Sequence, residues 1–539
     1  MKVLLLNVPY PYTECPTVPL GICYIAAVAE KEGAEVQILD LLISRFSLKK
    51  VSDKMKEFKP DIVGAGPVTI SYPTALRCIE VCKKFGATTV MGGPHVTFAD
   101  REALLEAPYL DIVVRGEGEN TFSDILRGRD LKDVEGITYR ENGEIIKNPP
   151  RKLIENLDEI PWPAWHLIPL SKYQAFKSGC DMMTGRGCPF NCTFCVGGKM
   201  VGKKPRFRDI KRCVDEIEEI VYRYGFHRVN IVDDLLTINH KRVFEFCDEL
   251  DNRGLHIEWS AFSRVDTTTK ELLTRMKETG CFFILYGVES ANQKILELAR
   301  KRTNLDKIRK GVALSNEVGI PTVSSFILGL PGETEETIRE SFELGKSLGN
   351  MYGFHILSPY PGTEVRERAE ELGLKILDND WLKYDANHAV SETEGASARY
   401  ISEASKAFYK SLEDATDKIE AAMDRGEELK EDVFTKKDFE EIKLKRTRRF
   451  VWQILKHDYI ERYGRFTEKG NPEELLAEKL YTLKAISSIV KKDRVAEEIK
   501  KMVEEGFLSY TRDENSVIWF WTDIGKREKN QMETLRNPQ

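Results

Sequence analysis

Long apolar runs are absent from this chain of 539 residues. No stretch approaches the roughly 20 consecutive apolar residues that a helix needs to cross a bilayer, so a transmembrane segment is not expected. The first residues, Met1–Pro9, form an apolar run that is too short for a signal peptide and typical of a buried β-strand. A charge excess is also lacking, because the net charge of −6 is small for this length. General attraction to nucleic acid or membranes is therefore not expected.

Disulfide-like cysteine spacing is missing as well. The 11 cysteines are an odd number without a recognisable framework, which favours a reducing cytoplasm. No second Cys-x2-Cys pair exists, and the last cysteine is Cys281, so the four-ligand pattern of many structural zinc sites is not present. The sequence contains no internal repeat and no low-complexity tract. Its length predicts three or four globular domains.

One group of cysteines stands out, in the stretch Cys188-Pro-Phe-Asn-Cys192-Thr-Phe-Cys195, which a Gly-Gly pair follows closely. Soft thiolates suit iron–sulfur clusters, and three of them can hold three irons of a 4Fe–4S cube. The fourth iron then has no protein ligand and can bind a substrate or cofactor. The alternative interpretation is a loop with three structural cysteines.

Residues 1–147 alternate short apolar strands with amphipathic helices. The predicted strands are Lys2–Asn7, Glu35–Leu39, Asp61–Ala65, Thr88–Met91 and Asp111–Val114. This alternation predicts right-handed crossovers and a parallel, doubly wound, Rossmann-like α/β sheet. Ligands of such sheets bind at the carboxyl ends of the strands. The loops at those ends are rich in glycine and proline here.

A proline-containing linker at 148–179 precedes a second alternating region at 180–380. The predicted strands there are Asp181–Thr184, Arg228–Val232, Glu258–Phe262, Phe282–Val288, Thr322–Leu328 and Gly353–Leu357. Six parallel strands with intervening helices predict a partial (β/α)6 barrel with its active site at the strands' carboxyl ends. Beyond it, 381–465 is predicted to be helical and 466–539 to be winged-helix-like, with a hairpin turn at Asn515-Ser516.

The cysteine spacing resembles the signature of the radical S-adenosylmethionine (SAM) superfamily, in which the open iron chelates the amino-acid end of SAM. Pro19-Leu20-Gly21, Val90–His95 and Arg115–Phe122 are similar to the cobalamin-binding domain that precedes the barrel in one large subgroup. That subgroup includes class B methyltransferases and the anaerobic magnesium-protoporphyrin ester cyclase. The resemblance implies a 4Fe–4S cluster on Cys188, Cys192 and Cys195, together with SAM and cobalamin.

Polar residues that follow the later strands fit one SAM molecule. Asp233 and Asp234 offer acceptors for its ammonium group, although Asp is also favoured at helix N-caps. The Arg264 guanidinium could donate two hydrogen bonds to the SAM carboxylate, and the Glu289 carboxylate could accept hydrogen bonds from the ribose hydroxyls. The turn Ile327–Gly332 lets backbone approach an adenine. The predicted SAM site comprises Phe194, Asp233, Asp234, Ser263, Arg264, Glu289 and Leu328.

The predicted cobalamin site comprises Pro19, Leu20, Gly21, Thr69, Ser71, Tyr72, Gly92, Gly93, Pro94, His95, Gly116, Glu117, Gly118 and Glu119. One departure from other cobalamin domains matters. Methionine synthase and the mutases carry Asp-x-His-x-x-Gly, whose His replaces the nucleotide base on cobalt, but Gly93 stands at the Asp position before His95. His95 is therefore expected to be a loop residue near the corrin instead of an axial ligand. The absence leaves open that the domain has lost cobalamin.

The resemblance implies an enzyme that receives an electron from a ferredoxin- or flavodoxin-type donor and cleaves SAM to a 5′-deoxyadenosyl radical. The leading hypothesis is an oxygen-sensitive cytoplasmic enzyme that methylates an unactivated carbon of an unknown substrate. The second keeps the radical step but oxidises or cyclises the substrate. The third is a DNA-binding redox or cobalamin sensor, for which Arg494, Lys500 and Lys501 supply few basic residues. No catalytic side chain is predicted.

Overall fold

Two large, mainly parallel sheets and a helical C-terminal third organise the chain. The computed structural model describes residues 1–10, 16–425, 436–513 and 516–523. Within these ranges, no helix combines the length and the apolar character that crossing a membrane requires. Asn515 of the predicted hairpin turn and residues 524–539 lie outside the described residues.

The first sheet has seven strands in the order β2-β1-β3-β4-β5-β6-β7. Its strands are β1 (Lys2–Asn7), β2 (Glu35–Asp40), β3 (Ile62–Ala65), β4 (Thr88–Met91), β5 (Ile112–Val114), β6 (Ile137–Glu141) and β7 (Glu144–Lys147). Its helices are α1 (Leu20–Lys31), α2 (Leu48–Phe58), α3 (Tyr72–Lys83), α4 (Pro94–Phe98), α5 (Asp100–Glu106) and α6 (Glu119–Leu126). Strands β1 to β5 pair in parallel, which confirms the predicted Rossmann-like arrangement.

Two strands that were not predicted, β6 and β7, extend this sheet at one edge and pair antiparallel. Asn142 and Gly143 join these two strands, and both have positive φ, of 50° and 88°. An Asn-Gly pair of this kind forms the tight turn that matches the twist of a hairpin. The Asn142-Gly143 dipeptide could therefore have predicted this hairpin from the sequence.

The second sheet is parallel and has the order β15-β14-β13-β12-β11-β8. Its strands, with two short ones, are β8 (Cys180–Met182), β9 (Gly185–Arg186), β10 (Arg206–Phe207), β11 (Arg228–Ile231), β12 (Glu258–Ser263), β13 (Cys281–Glu289), β14 (Thr322–Leu328) and β15 (Met351–Ile356). The helices are α7 (Leu170–Ala175), α8 (Gly197–Met200), α9 (Ile210–Glu218), α10 (His240–Asn252), α11 (Lys270–Glu278), α12 (Gln293–Leu298), α13 (Leu305–Val318), α14 (Glu335–Ser347) and α15 (Glu364–Glu367). This arrangement confirms the predicted partial barrel.

The C-terminal third starts after a short antiparallel pair and is mostly helical. Its elements are β16 (Leu374–Ile376), β17 (Ser391–Thr393), α16 (Ala398–Asp424), α17 (Lys436–Lys456), α18 (Tyr459–Tyr463), β18 (Arg465–Phe466), α19 (Pro472–Tyr481), α20 (Lys484–Ser487), α21 (Lys492–Glu504), β19 (Leu508–Arg512) and β20 (Val517–Trp521). Three helices followed by the β19–β20 hairpin give the expected winged-helix-like order, and β18 adds a third strand to the hairpin.

Candidate active site

The three motif cysteines lie on one loop, residues 187–205, which we call the cysteine loop. Strands β9 and β10 pair antiparallel at its base and so bring its two ends together. Gly187 begins the loop with φ of 106°, and a Cβ there would stand 2.8 Å from the Lys204 carbonyl oxygen. Only glycine fits this close approach of two backbone segments.

The thiols of Cys188, Cys192 and Cys195 are free of disulfides and at least partly exposed. The Cys195 amide donates to the Cys192 carbonyl at 3.1 Å, which folds the two residues into one turn. Burial raises the pKa of each thiol, and the charge of another motif cysteine raises it further. Bound metal cations would offset both effects, because they stabilise the thiolate form. Three soft donors on one loop therefore fit an iron–sulfur cluster with three protein ligands.

Three of the predicted SAM residues lie around these thiols. The charge of Asp234 acts on Cys188 and Cys195, and the charges of Arg264 and Glu289 act on Cys192. These residues lie in the loops after β11 and β12 and at the end of β13. The three strands are parallel neighbours, so their carboxyl ends meet at one edge of the sheet.

The two neighbouring aspartates face different partners. The Asp234 carboxylate accepts a hydrogen bond from the Gly187 amide at 2.8 Å, so it orders the start of the cysteine loop. The Asp233 carboxylate accepts from the amide and hydroxyl of Thr184 at 2.6 and 2.5 Å. Burial raises the pKa of Asp233 to about 6, although the Thr184 bonds oppose this. Asp234 thus contacts the cysteine loop, whereas Asp233 contacts Thr184 between β8 and β9.

Arg264 packs directly against the cysteine loop. Its guanidinium lies 3.8 Å from the Phe190 ring centroid and pairs with Asp266 through contacts of 2.9 and 2.7 Å. It also donates to the Lys301 carbonyl at 2.6 Å. Ser263 lies beside it and shares a 2.5 Å hydrogen bond with Thr237. The pairing with Asp266 was not foreseen, because a contact two residues away in a loop leaves no periodic signal.

Glu289 adopts the left-handed backbone conformation, with φ of 75°. Its carboxylate pairs with the Lys301 ammonium at 2.6 Å, and both side chains are buried. Lys301 was not predicted, since it lies on a loop beyond α12.

The turn after β14 contains a second residue that sequence reasoning missed. Glu333 is fully buried and accepts from the amides of Gly329 and Leu330 at 2.6 and 3.2 Å. Burial raises its pKa to about 8. Leu328 is buried at the end of β14, and Phe194 packs in a small apolar cluster with Leu330.

A second feature is a cavity of about 300 Å³ at the carboxyl ends of the first sheet's parallel strands, which we call the glycine cavity. Its wall consists of Leu5, Gly21, Ile22, Ile25, Gly64, Ala65, Gly66, Val90, Gly92, Gly93, Pro94, Val114, Gly116, Glu117, Gly118, Glu119, Phe122, Arg186, Met200 and Val201. Arg186, Met200 and Val201 belong to β9 and the cysteine loop. One cavity therefore touches both the first sheet and the cysteine loop.

The glycines keep this cavity open. A Cβ on Gly21 or Gly116 would meet no atom within 4 Å, so any side chain there would project into open space. Mostly apolar walls with backbone accessible at several glycines suit an apolar ligand group that lies directly against the chain. These residues fit a cobalamin group.

Eight of the predicted cobalamin residues line the glycine cavity: Gly21, Gly92, Gly93, Pro94, Gly116, Glu117, Gly118 and Glu119. Six do not: Pro19, Leu20, Thr69, Ser71, Tyr72 and His95. Gly64 and Gly66 also line the cavity but were not predicted. The Gly-Ala-Gly sequence at the end of a buried strand could have indicated that a ligand approaches the backbone there.

His95 is buried in an aromatic group outside the glycine cavity. Its ring stacks on Tyr72 with centroids 4.1 Å apart and meets Trp381 edge-on at 4.9 Å. Its Nδ1 lies 3.2 Å from the Thr69 hydroxyl. Burial and the charge of Arg366 lower the pKa of His95 to about 4, so the ring is neutral near pH 7.

Four paired charges join the two parts of the site, and we call Glu117, Glu119, Arg186 and Arg206 the clamp. Arg186 is half-buried, and the other three are buried. Arg206 forms a bidentate pair with Glu117 at 2.8 and 3.0 Å, and Arg186 bridges Glu117 and Glu119 at 3.0 and 2.5 Å. Burial raises the pKa of Glu117, but its bonds to the two arginines outweigh this and hold the pKa below its usual value. The clamp ties the β5–α6 loop to both ends of the cysteine loop.

Comparison with known proteins identifies the same two domains. Residues 182–345 match the Radical SAM superfamily model, and residues 12–126 match the B12 binding domain model. An uncharacterized methyltransferase of Pyrococcus horikoshii is 36% identical over 399 residues, which cover 72% of this chain and 86% of that protein. The anaerobic magnesium-protoporphyrin IX monomethyl ester cyclase of Rubrivivax gelatinosus is 31% identical over 388 residues, 68% of each chain.

A solved structure extends the similarity of fold to nearly the whole chain. The cobalamin-dependent SAM radical enzyme OxsB, with aqua-cobalamin and SAM bound, superposes with a TM-score of 0.66 at 17% identity. The match covers 94% of this chain and 79% of OxsB. Fold, motif and relatives agree: the chain belongs to the radical SAM superfamily, in the cobalamin-dependent group that carries an N-terminal B12-binding domain.

Proposed function

We propose that this radical SAM enzyme methylates an unactivated carbon of its substrate. The observation that carries the proposal is the shared wall of the glycine cavity, to which the cysteine loop contributes Met200 and Val201. A methyl-carrying group in this cavity and a radical source on the cysteine loop would be neighbours. When bound, the iron–sulfur cluster supplies the electron that cleaves SAM to a 5′-deoxyadenosyl radical, and cobalamin supplies the methyl group.

The chain's own residues would hold SAM against the cysteine loop. Cys188, Cys192 and Cys195 bind three irons, and the cation of Arg264 attracts the SAM carboxylate. Asp234 keeps the start of the loop in place and can accept from the SAM ammonium with its other oxygen. Glu289 would accept the ribose hydroxyls while Lys301 holds it. Phe194, Asp233, Ser263 and Leu328 would shape the surrounding pocket.

The glycine cavity would hold cobalamin through the residues that line it, among them Gly21, Gly92 and Gly116. The aromatic group around His95 lies outside the cavity, so we assign His95 a packing role and no bond to cobalt. The clamp then excludes water from the seam between cavity and cysteine loop, since its charges are paired and mostly buried.

A second outcome, oxidation or ring closure without methyl transfer, is favoured by one observation. The relative from Rubrivivax gelatinosus is a cyclase, and its similarity extends over 68% of both chains. The two outcomes differ in what meets the substrate radical, and both use the same cofactors. Incubating reconstituted enzyme with reductant, substrate and methyl-labelled SAM separates them: labelled product supports methylation, whereas product without label contradicts it.

The remaining functional inferences concern partners and location. A low-potential donor of the ferredoxin or flavodoxin type would reduce the cluster, and an oxygen-sensitive cluster suits a reducing cytoplasm. The winged-helix-like region gives little support to a DNA sensor. In α21, Arg494 lies 3.8 Å from Glu498 and Lys500 lies 3.8 Å from Glu504, so much of the positive charge is offset.

A further inference from the structure

The inner face of the second sheet, opposite its helices, is only half covered by protein. Along β12, Trp259, Ala261 and Ser263 are buried against the helices, while Ser260 and Phe262 alternate with them on the inner face. Phe262 is 45% exposed although its strand has a neighbour on each side. A large aromatic ring exposed at the centre of a parallel sheet indicates a surface that a ligand covers.

Phe262 belongs to an apolar band that runs across four strands. Strand register aligns it with Leu285, Leu285 with Val323, and Val323 with Met351. Leu285 and Val323 are half-buried, and Met351 is 37% exposed. The band therefore offers a continuous apolar surface inside the barrel, below the cysteine loop.

One layer further from the cysteine loop, the other strands carry a polar triad. Asp181, Asn230 and Ser260 are register partners on β8, β11 and β12. The Ser260 hydroxyl donates to the Asn230 carbonyl oxygen at 2.9 Å, and the Asn230 amide donates to the Asp181 carboxylate at 2.8 Å. Both bonds donate toward Asp181, so the chain stabilises the charged form of its carboxyl group.

Asp181 is buried, at 8% exposure. Among the described residues, the groups that bond its carboxyl are neutral, Asn230 and Thr17. Burial raises the pKa of Asp181 to about 6, against these two hydrogen bonds, so the carboxyl is still mostly ionised at neutral pH. Other buried carboxylates of the site have different partners: Glu289 and Glu117 pair with cations, while Asp233 and Glu333 accept hydrogen bonds from backbone amides. A buried carboxylate that has only neutral side chains as partners is stabilised by a ligand that supplies positive charge.

We propose that the inner face binds the enzyme's substrate, and that this substrate is an elongated apolar amine whose ammonium group bonds Asp181. Its apolar body crosses the band at Phe262, and its reacting carbon lies toward the cysteine loop. The inference deepens the proposed function, because it assumes that the radical forms at the cysteine loop.

The test uses full-length protein loaded with cluster and cobalamin, and two probes of matched length, decylamine and decanol. Equilibrium dialysis measures the affinity of each in the presence of SAM. Decylamine is expected to bind at least about tenfold more tightly than decanol, the size of one charge-assisted hydrogen bond. Equal affinity for the two probes, or no binding of either, overturns the proposal.

Variants assign the effect to the residues. Asp181→Asn should remove the preference for the amine and leave decanol binding unchanged, whereas Phe262→Ser should weaken both probes. Asp215→Asn is the matched control, since Asp215 lies on α9 and pairs with Arg253 at 2.5 Å. An Asp181→Asn protein that keeps the preference overturns the proposal. If that variant does not fold, the affinities of the wild-type protein for the two probes still test the preference for an amine.

The same preparation is assayed for reductive cleavage of SAM. This assay distinguishes failure of the proposed substrate class from failure of the proposed function. Cleavage without preference for the amine refutes the substrate class alone. Absence of cleavage refutes the proposed function, whatever the probes do.

Discussion

At the scale of single residues, the three motif cysteines differ from the other described cysteines by their exposure. Cys188, Cys192 and Cys195 are at least partly accessible, whereas Cys213 and Cys281 are buried in the core. Accessible thiols on one loop can bind metal, but core thiols act as small apolar groups.

Replacing Cys192 with Ser should therefore abolish cluster binding and SAM cleavage, because a hydroxyl is a poor ligand for iron. Iron and sulfide content after anaerobic reconstitution is the measurement. Cys281→Ala is the control and should retain wild-type iron content. A Cys192→Ser protein with full iron and sulfide would contradict the assignment.

His95 allows a prediction about pH. Its pKa falls from the usual 6.5 to about 4 in the folded protein, so unfolding takes up a proton between these values. The stability that neutral His95 provides is present above pH 6.5 and is lost as the pH falls toward 4. The full difference amounts to about 3 kcal/mol.

His95→Phe should flatten this part of the pH dependence. Urea unfolding of both proteins at several pH values between 4 and 7 measures it, and the difference between them removes the contribution of the carboxylates. Parallel curves for the two proteins would mean that the His95 pKa is not lowered.

At the scale of elements, the clamp decides how the cysteine loop is held. Glu117 accepts from Arg206 and Arg186 and also from the Ile154 amide at 2.8 Å. Removing its charge leaves the buried Arg206 guanidinium and the half-buried Arg186 guanidinium with too little negative charge, a change that typically costs about 3–5 kcal/mol.

Glu117→Gln should accordingly lower the free energy of unfolding and speed tryptic cleavage at Lys203, which is exposed on the cysteine loop. The control is Glu32→Gln, whose pair with Arg127 lies at the surface and should contribute little to stability. Equal effects of the two variants would show that the clamp does not hold the loop.

Helix α1 presents a glycine to the glycine cavity, and this gives a test of its ligand. Gly21→Leu adds a side chain in open space, so it should fill the cavity while helix propensity favours folding. We expect hydroxocobalamin affinity to fall at least about tenfold, measured by the change in its visible spectrum on binding. Lys31→Leu, at the other end of α1, should bind normally. Unchanged affinity of the Gly21→Leu protein would place cobalamin elsewhere.

At the scale of the whole molecule, the C-terminal third contacts both of the preceding α/β domains. The Tyr409 hydroxyl of α16 donates to the Phe354 carbonyl of edge strand β15 at 2.7 Å. Arg448 of α17 donates to the carbonyls of Phe176 and Lys177, which precede β8 at the opposite edge. Asp458 pairs with Lys50 of the first domain at 2.6 Å.

Ending the chain at Ser397 should therefore expose both edges of the second sheet and cause aggregation. Size-exclusion chromatography and iron content after reconstitution are the measurements. A monomeric truncated protein with full iron content would show that the barrel folds without its C-terminal third.

The sequence alone determined the features that depend on local spacing. The cysteine motif predicts three ligands because they lie within eight residues, and periodic apolar runs predict nearly every strand of the two large sheets. Glycines after β4 and β5 indicated the cavity, since only a ligand or backbone requires such repeated close approach. The β6–β7 hairpin was missed, and the short strands β9, β10 and β18 were missed because two residues cannot show a period.

Only the tertiary structure decided which charges meet. Glu117 and Arg206 are 89 residues apart, and Asp181 and Asn230 are 49 apart, so no local pattern relates them. The register of parallel strands aligns Asp181 with Asn230, and the packing of the two domains brings Glu117 to Arg206. The roles of the SAM and cobalamin residues remain predictions, but their neighbours follow from the fold: His95 lies among aromatic rings, and Asp181 lies without a cation among the described residues.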